Sequence, residues 1–315
     1  MRVYPENALT QLEFDKITAI LLGHCQTSIG KELVDEMRIH THLKYIQTAL
    51  RQTEEYKYIK SANQYFPTDF VLDIRKDLKL LGIPGAQLTG EQWLLVRRLA
   101  EHTGNLYKWF DAERKQAYAN LFEVIGESYY EKVIIESIDD IIDDRGNVKD
   151  NASDELAKIR MQLYKKRQEL RRIFDKVIHK LAKAGYTADI DESFSNGRRV
   201  VAVFSEYKRQ VKGFLHGESD SRKTAFIEPE ETIELNNELY GLEQDEQKEV
   251  QRVLRLLTAT LSPYSALLLS YIQMVGIFDF IRSKAILAID MNAHMPMVQN
   301  NATSQLIDAY HPLLY

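Results

Sequence analysis

Between Asp154 and Leu257, two long, highly charged stretches with helical spacing flank a short β-rich one, and no other feature constrains the fold as much. From Leu156 the register positions fall at Ile159, Leu163, Lys166, Leu170, Ile173, Val177 and Leu181, alternating by three and four. That is the spacing of a narrow seam rather than the wide apolar stripe of a helix buried in a globule. Leu235, Leu239, Leu242, Val250, Val253 and Leu257 repeat it less regularly on the way back. Two such helices separated by an independently folded tip pair most simply antiparallel, as a coiled-coil arm. Two ordinary helices of one compact α domain are the alternative. Ser153 is placed to cap the first helix, with Asp154 and Glu155 in its favourable first turn, and Gly185 to end it.

From Thr187 to Thr232 the period changes from helical to alternating. Val200, Ala202 and Phe204 interleave with Val201, Val203 and Ser205, which predicts one packed face and one more exposed face. Asn196–Gly197 signals a hairpin, and Val211–Leu215 and Thr224–Ile227 are the next strands. A small antiparallel β module at the end of the arm follows.

The flanking sequence is helical. Thr10 is read as the cap of a helix through Leu12, Phe14, Ile17 and Ile20, Thr27 or Ser28 as the start of a second, Thr41 as preceding a third, and Thr89 as the cap of a fourth. Ser262–Pro263 announces a broadly apolar helix through Leu268, Tyr271, Val275 and Phe278, expected to return to the N-terminal helices. The expected fold class is mainly α: a discontinuous helical core carrying the antiparallel coiled-coil arm and its small antiparallel β module. The divisions are 1–152 (first part of the helical core), 153–186 (outgoing arm), 187–232 (tip), 233–260 (returning arm), 261–308 (second part of the core) and 309–315 (the start of a junction).

The 315 residues suffice for two domains, and no apolar run is read as long enough to span a bilayer. The single Cys25, set among Leu21 and Leu22, reads as a core thiol and leaves no intramolecular disulfide framework. There is no Gly-rich phosphate loop ending in Gly-Lys-Ser/Thr, no Gly-x-Ser-x-Gly elbow and no pair of histidines four residues apart. Asp139, Asp140 and Asp143 lack the spacing of a calcium loop. Catalysis, a bound cofactor and a metal are therefore not expected in this stretch.

The net charge of −5 hides segregation: between Asp154 and Lys183 ten Lys and Arg stand against four Asp and Glu. Such a local field can hold a polyanion, although opposite charge on paired helices would also help align them. Arg198, Arg199, Lys208, Arg209, Lys212, Arg222 and Lys223 in the β module are the candidates for phosphate contact, with Lys165, Lys166, Arg171 and Arg172 on the helix behind them. A solvated or protein-binding surface is the other reading of the same residues.

Several ordered motifs carry a family resemblance. Asp143–Asp144–Arg145–Gly146–Asn147–Val148–Lys149–Asp150–Asn151–Ala152–Ser153–Asp154–Glu155–Leu156 resembles the entry to the arm in the second bacterial branch of MutS proteins. Val211–Lys212–Gly213–Phe214–Leu215–His216–Gly217 with Thr224–Ala225–Phe226–Ile227–Glu228–Pro229 resembles its clamp, and Leu235–Asn236–Asn237–Glu238–Leu239 its return helix. Leu12–Glu13–Phe14–Asp15–Lys16–Ile17, Cys25–Gln26–Thr27–Ser28–Ile29–Gly30 and Ala309–Tyr310–His311–Pro312–Leu313–Leu314 also fit. The resemblance implies a non-catalytic lever and clamp fragment of an ATPase, with ATP and magnesium used only by an absent ATPase domain, commonly followed by a small nuclease-like domain. It implies DNA, branched or duplex, as the partner, or alternatively a role as a ribosome-binding or dimerisation module in rescuing collided ribosomes. A homodimer of the full protein, no membrane partner, and a cytoplasmic place at the nucleoid or ribosome complete the expectation. Mismatch recognition is not implied, because the chain lacks the front domains of the mismatch-repair branch.

Overall fold

The computed structural model describes residues 5, 7–195, 197–300, 303–307 and 309–314. The expectations for a lead-in over residues 1–9, for Asn196 in the hairpin and for the 309–315 junction therefore fall partly outside the described residues. The chain divides into two compact units, Met1–Asn147 with Arg255–Tyr315, and Val148–Leu254.

The first unit is helical. It contains α1 (Ala8–Gln11), α2 (Phe14–His24), α3 (Ser28–Asp35), α4 (Leu43–Ser61), α5 (Arg75–Leu81), α6 (Gly90–Trp109), α7 (Ala112–Ala117), α8 (Ala119–Phe122) and α9 (Val133–Ile141). Thr10 lies inside α1 rather than capping a longer helix, because Glu13 takes a left-handed conformation that separates α1 from α2. Thr27 does cap α3, its Oγ1 accepting from Gly30 N at 2.8 Å. Thr89 and Gln92 close a reciprocal capping box on α6.

The centre of this unit is α12 (Ser265–Asp290), which packs against α2, α3, α4, α5 and α6. A helix surrounded on several sides must be apolar nearly all round, and Leu268, Tyr271, Ile272, Val275, Phe278 and Ile281 are buried. For the same reason the stretch Glu230–Asp290 contains a segment long and apolar enough to cross a membrane, which corrects the sequence expectation; half of that segment is buried inside the protein. Gly276 lets α3 approach closely, since a Cβ there would lie 2.2 Å from the Ile29 side chain. Asp279, buried in the same contact, accepts from the backbone N–H groups of Gln26 and Thr27 at 2.9 and 2.8 Å. It thereby satisfies donors at the start of α3 that the helix itself leaves free. Cys25 is buried, and burial raises its thiol pKa, as a core residue requires.

The second unit contains α10 (Asp154–Lys183), β1 (Thr187–Ser195), β2 (Arg198–Phe204), β3 (Gly213–Glu218), β4 (Thr224–Pro229) and the start of α11 (Glu230–Leu261). Ser153 caps α10 by accepting from Leu156 N at 3.0 Å. Gly185, at φ +71°, ends it: Tyr186 N donates back to Leu181 O and Gly185 N to Ala182 O. Ile159, Leu163 and Leu170 of α10 share a core with Leu235 and Leu239 of α11, flanked by Ile173 and Leu242. Polar pairs run in opposed order beside it, Ser153 with Glu249, Arg160 with Glu246, Arg167 with Glu243 and Lys166 with Glu238. The two helices are antiparallel where these pairs form.

At Ile173 the seam divides. Ile173 stays with the helix partner, whereas Phe174, fully buried, joins Val177 and Leu181 under Val201, Val203, Ala225 and Ile227 of the sheet. One helix thus builds two cores, and a single heptad register cannot show the change of partner. The sheet order is β1-β2-β4-β3, antiparallel throughout. Contrary to the expected exposed face, Val200, Val201, Ala202 and Val203 are all buried. The odd positions meet α10. On the other side Glu228 of β4 accepts from Asn236 of α11.

Glu249 joins the two long helices. Its carboxylate accepts from Arg252 Nε and Nη2, both at 2.7 Å, and from Ser153 Oγ at 2.6 Å. These bonds, Arg252 first, hold its pKa at about 2. A depressed folded-state pKa stabilises the fold above the ordinary carboxylate value and ceases to do so as pH falls toward 2. Glu249→Gln is therefore expected to cost about 1 kcal/mol at pH 7, the partner arginine being well exposed, and almost nothing at pH 2. Urea melts at the two pH values check this; an equal cost at both would contradict it.

Candidate nucleic-acid interface

The sequence candidates separate into two groups when their surroundings are compared. Arg198 is committed inside the unit: its Nη1 donates to Glu228 Oε1 at 2.8 Å and its Nη2 to Asn237 Oδ1. Glu228 is nearly inaccessible, at 1% exposure. It also meets His216 Nε2 at 2.7 Å and accepts from Asn236 Nδ2 at 2.8 Å. Desolvation would raise the Glu228 pKa, but bonds from His216, Asn236 and Arg198 outweigh it and lower the value. Arg198 is thus part of the node that ties β2, β3 and β4 to α11.

Arg199 lies half-buried over the Phe174 ring, 4.6 Å from its centroid. Lys208 pairs with Glu218 at 2.5 Å, and Lys166 with Glu238 at 2.6 Å. Lys165, Arg171, Arg172, Arg209, Lys212, Arg222 and Lys223 are exposed and have no carboxylate partner among the described residues.

The strand register places these groups at opposite ends of the sheet. Lys212 precedes β3 beside the start of α11, since Glu230 N donates to Lys212 O. Lys208, Arg222 and Lys223 gather at the other end, where Ser205 N donates to Lys223 O. The C-terminus of α10 arrives at that end too, with Phe204 N donating to Tyr186 O and the Tyr186 and Tyr207 rings stacked at 4.6 Å.

The last turns of α10 carry residues the sequence reading left unnamed. Lys176, His179, Lys180 and Lys183, with Asp175, line an open depression on α10, and all are exposed. Their spacing of three and four was visible as one helical face. Counting charge over the whole helix concealed it, because Arg160, Lys166 and Arg167 are used in pairs with α11. The lysines offer positively charged donors, suited to phosphate oxygens and unable to distinguish one base from another. Among the described residues no group of three or more His, Cys, Asp or Glu could hold a metal ion. The Asp139–Asp143 acids serve the structure instead: Asp139 pairs with Arg97, and Asp143 accepts from Arg145 N and Asn147 N to close a turn.

No family model matches the chain. It is similar to the protein named endonuclease MutS2 of Geobacillus sp. (strain WCH70), 29% identical over 310 residues, covering 96% of this chain and 39% of that protein. The protein of the same name from Latilactobacillus sakei subsp. sakei (strain 23K) is 30% identical over 308 residues, covering 97% and 39%. That from Enterococcus faecalis (strain ATCC 700802 / V583) is 30% identical over 317 residues, covering 98% and 39%. The similarity extends over both units, and the chain spans about two-fifths of the length of these relatives. With helices and antiparallel sheet in the places the motifs assign, the chain is MutS2-like over nearly its whole length.

Proposed function

We propose that these 315 residues are the non-catalytic lever and clamp part of a MutS-like protein, and that the clamp unit holds duplex or branched DNA by its phosphates. In this reading 153–186 and 233–260 form the coiled-coil arm, 187–232 is the tip, and the helical unit is the lever. One observation carries it: a set of exposed cations on α10 and around the sheet has no described carboxylate partner, in a chain whose net charge is −5. Exposed cations without an ion-pair partner are available to a polyanion even in an acidic chain. ATP and magnesium belong, on this reading, to a catalytic domain outside these 315 residues. The whole protein would work as a homodimer in the cytoplasm, at the nucleoid or at ribosomes.

Ribosomal RNA presents the same phosphate chemistry, so the test has two arms. Fluorescence anisotropy with linear and four-way-branched duplexes is expected to show binding at low salt that weakens steeply as salt rises. Co-sedimentation with purified ribosomes provides the second arm. Strong ribosome binding with no DNA binding would move the assignment to the ribosome, and no binding in either arm would overturn the clamp reading.

A further inference from the structure

A cavity of about 780 Å³ opens beside α12 in the helical unit, walled by Leu33, Met37, Ile39, Tyr45 and Phe280. A second, of about 390 Å³, shares Leu33, Tyr45, Ala49, Phe280 and Lys284 with it. This volume, with mainly apolar and aromatic walls and a few polar groups, is the usual form of a small-molecule site. Lys284 is on the wall of both cavities. Its Nζ lies 4.4 Å from the Phe280 ring centroid, and it has neither an ion pair nor a hydrogen bond among the described residues.

The remaining charged and titratable groups around the cavities are Glu36, Arg38, His40, Tyr45 and Glu123. Glu36, Arg38 and Glu123 are exposed, so they sit at the rims in water, and neither acid pairs with Lys284. Burial lowers the Lys284 pKa to about 8, leaving the amine largely protonated at neutral pH and poorly solvated. An ammonium in that position gains from an anion brought in beside it. Lys284 is a point charge and Arg38 is exposed at the rim, an arrangement that suits one negative charge better than a phosphate dianion, and the apolar walls require a hydrocarbon body.

We propose that this cavity binds an amphipathic carboxylate, with its hydrocarbon chain among Leu33, Met37, Ile39, Tyr45 and Phe280 and its carboxylate on Lys284 Nζ. The role is separate from nucleic-acid contact, and its test does not depend on that reading. Isothermal titration of the full chain at pH 7 with decanoate is expected to show saturable binding, and decanol, the same chain without charge, to bind about tenfold more weakly. Lys284→Met should weaken decanoate about tenfold and leave decanol unchanged. Ile39→Trp, a bulky side chain at an exposed edge of the cavity, should exclude both ligands even if the lysine variant folds poorly. Equal affinity for decanoate and decanol, absence of decanoate binding below its micelle concentration, or undiminished binding to Ile39→Trp would each overturn the proposal.

Discussion

Replacing Lys176, Lys180, Arg222 and Lys223 together by alanine is expected to weaken duplex-DNA binding roughly tenfold or more at low salt while leaving the fold intact. All four are exposed and have no ion pair among the described residues, so each substitution removes charge without leaving a stranded partner. Lys176 and Lys180 lie within α10, where alanine favours the helix at least as well. Exposed substitutions of this kind change stability by about 0.5 kcal/mol or less each. If all four contact phosphates, the slope of log affinity against log salt should become shallower by about 3 to 4. Anisotropy measured across a salt series gives both numbers, and circular dichroism confirms the fold. A folded variant with unchanged affinity and slope would remove these four cations from the interface. Arg198 and Lys208 are unsuitable for that experiment, because reversing Arg198 also strikes Glu228, and a loss of binding could then come from a loss of structure.

Glu228→Ala should be among the most damaging single substitutions in the second unit, costing about 3–5 kcal/mol. The buried carboxylate is the common acceptor for Arg198 and Asn236 and lies against His216. Its removal leaves a half-buried guanidinium facing a void and Asn236, itself buried, without its partner. Three strands and α11 meet there, so the damage spreads across the sheet and is not confined to one side chain. Glu228→Gln keeps the shape and one acceptor and should cost less than the alanine. Urea unfolding followed by tryptophan-independent circular dichroism, since Trp93 and Trp109 are both in the other unit, measures the difference. A cost below about 1 kcal/mol for Glu228→Ala would show that the node contributes no more than an ordinary hydrogen bond.

Much of the architecture was legible because its signals are local. Ser153, Thr89 and Thr27 cap helices by bonding the backbone three residues on, and Gly185 ends α10 by taking a positive φ, all within a few residues of sequence. The seam from Ile159 to Leu170 was readable for the same reason, since its buried residues share one core with Leu235 and Leu239. Beyond Leu170 the partner becomes a sheet, and the buried residue is Phe174, with Ile173 left at the edge of the helix pair. No periodicity within α10 announces a change in what lies opposite. The exposed face expected for β2 failed similarly: Val200 and Ala202 are as fully buried as Val201 and Val203, and alternation along one strand does not tell what lies over its second face.

The candidate interface was half legible. Composition located the basic stretch and its two elements, and the cations at Arg209, Lys212, Arg222 and Lys223 do stand exposed. Which arginine is spent on the fold is a matter of tertiary partners: Arg198 and Arg209 have the same chemistry in the sequence, and only the first meets a buried carboxylate. Lys176, Lys180 and Lys183 were overlooked because a sum over thirty residues ignores which side of the helix each occupies.

The salt dependence of duplex-DNA affinity measures most directly the proposed phosphate contact by the exposed cations of the second unit. For the unaltered chain, log affinity should fall linearly with log salt at a slope of about −0.9 for each phosphate neutralised, steeper than −3 in total. Binding indifferent to salt, or absent at 50 mM salt, would contradict it.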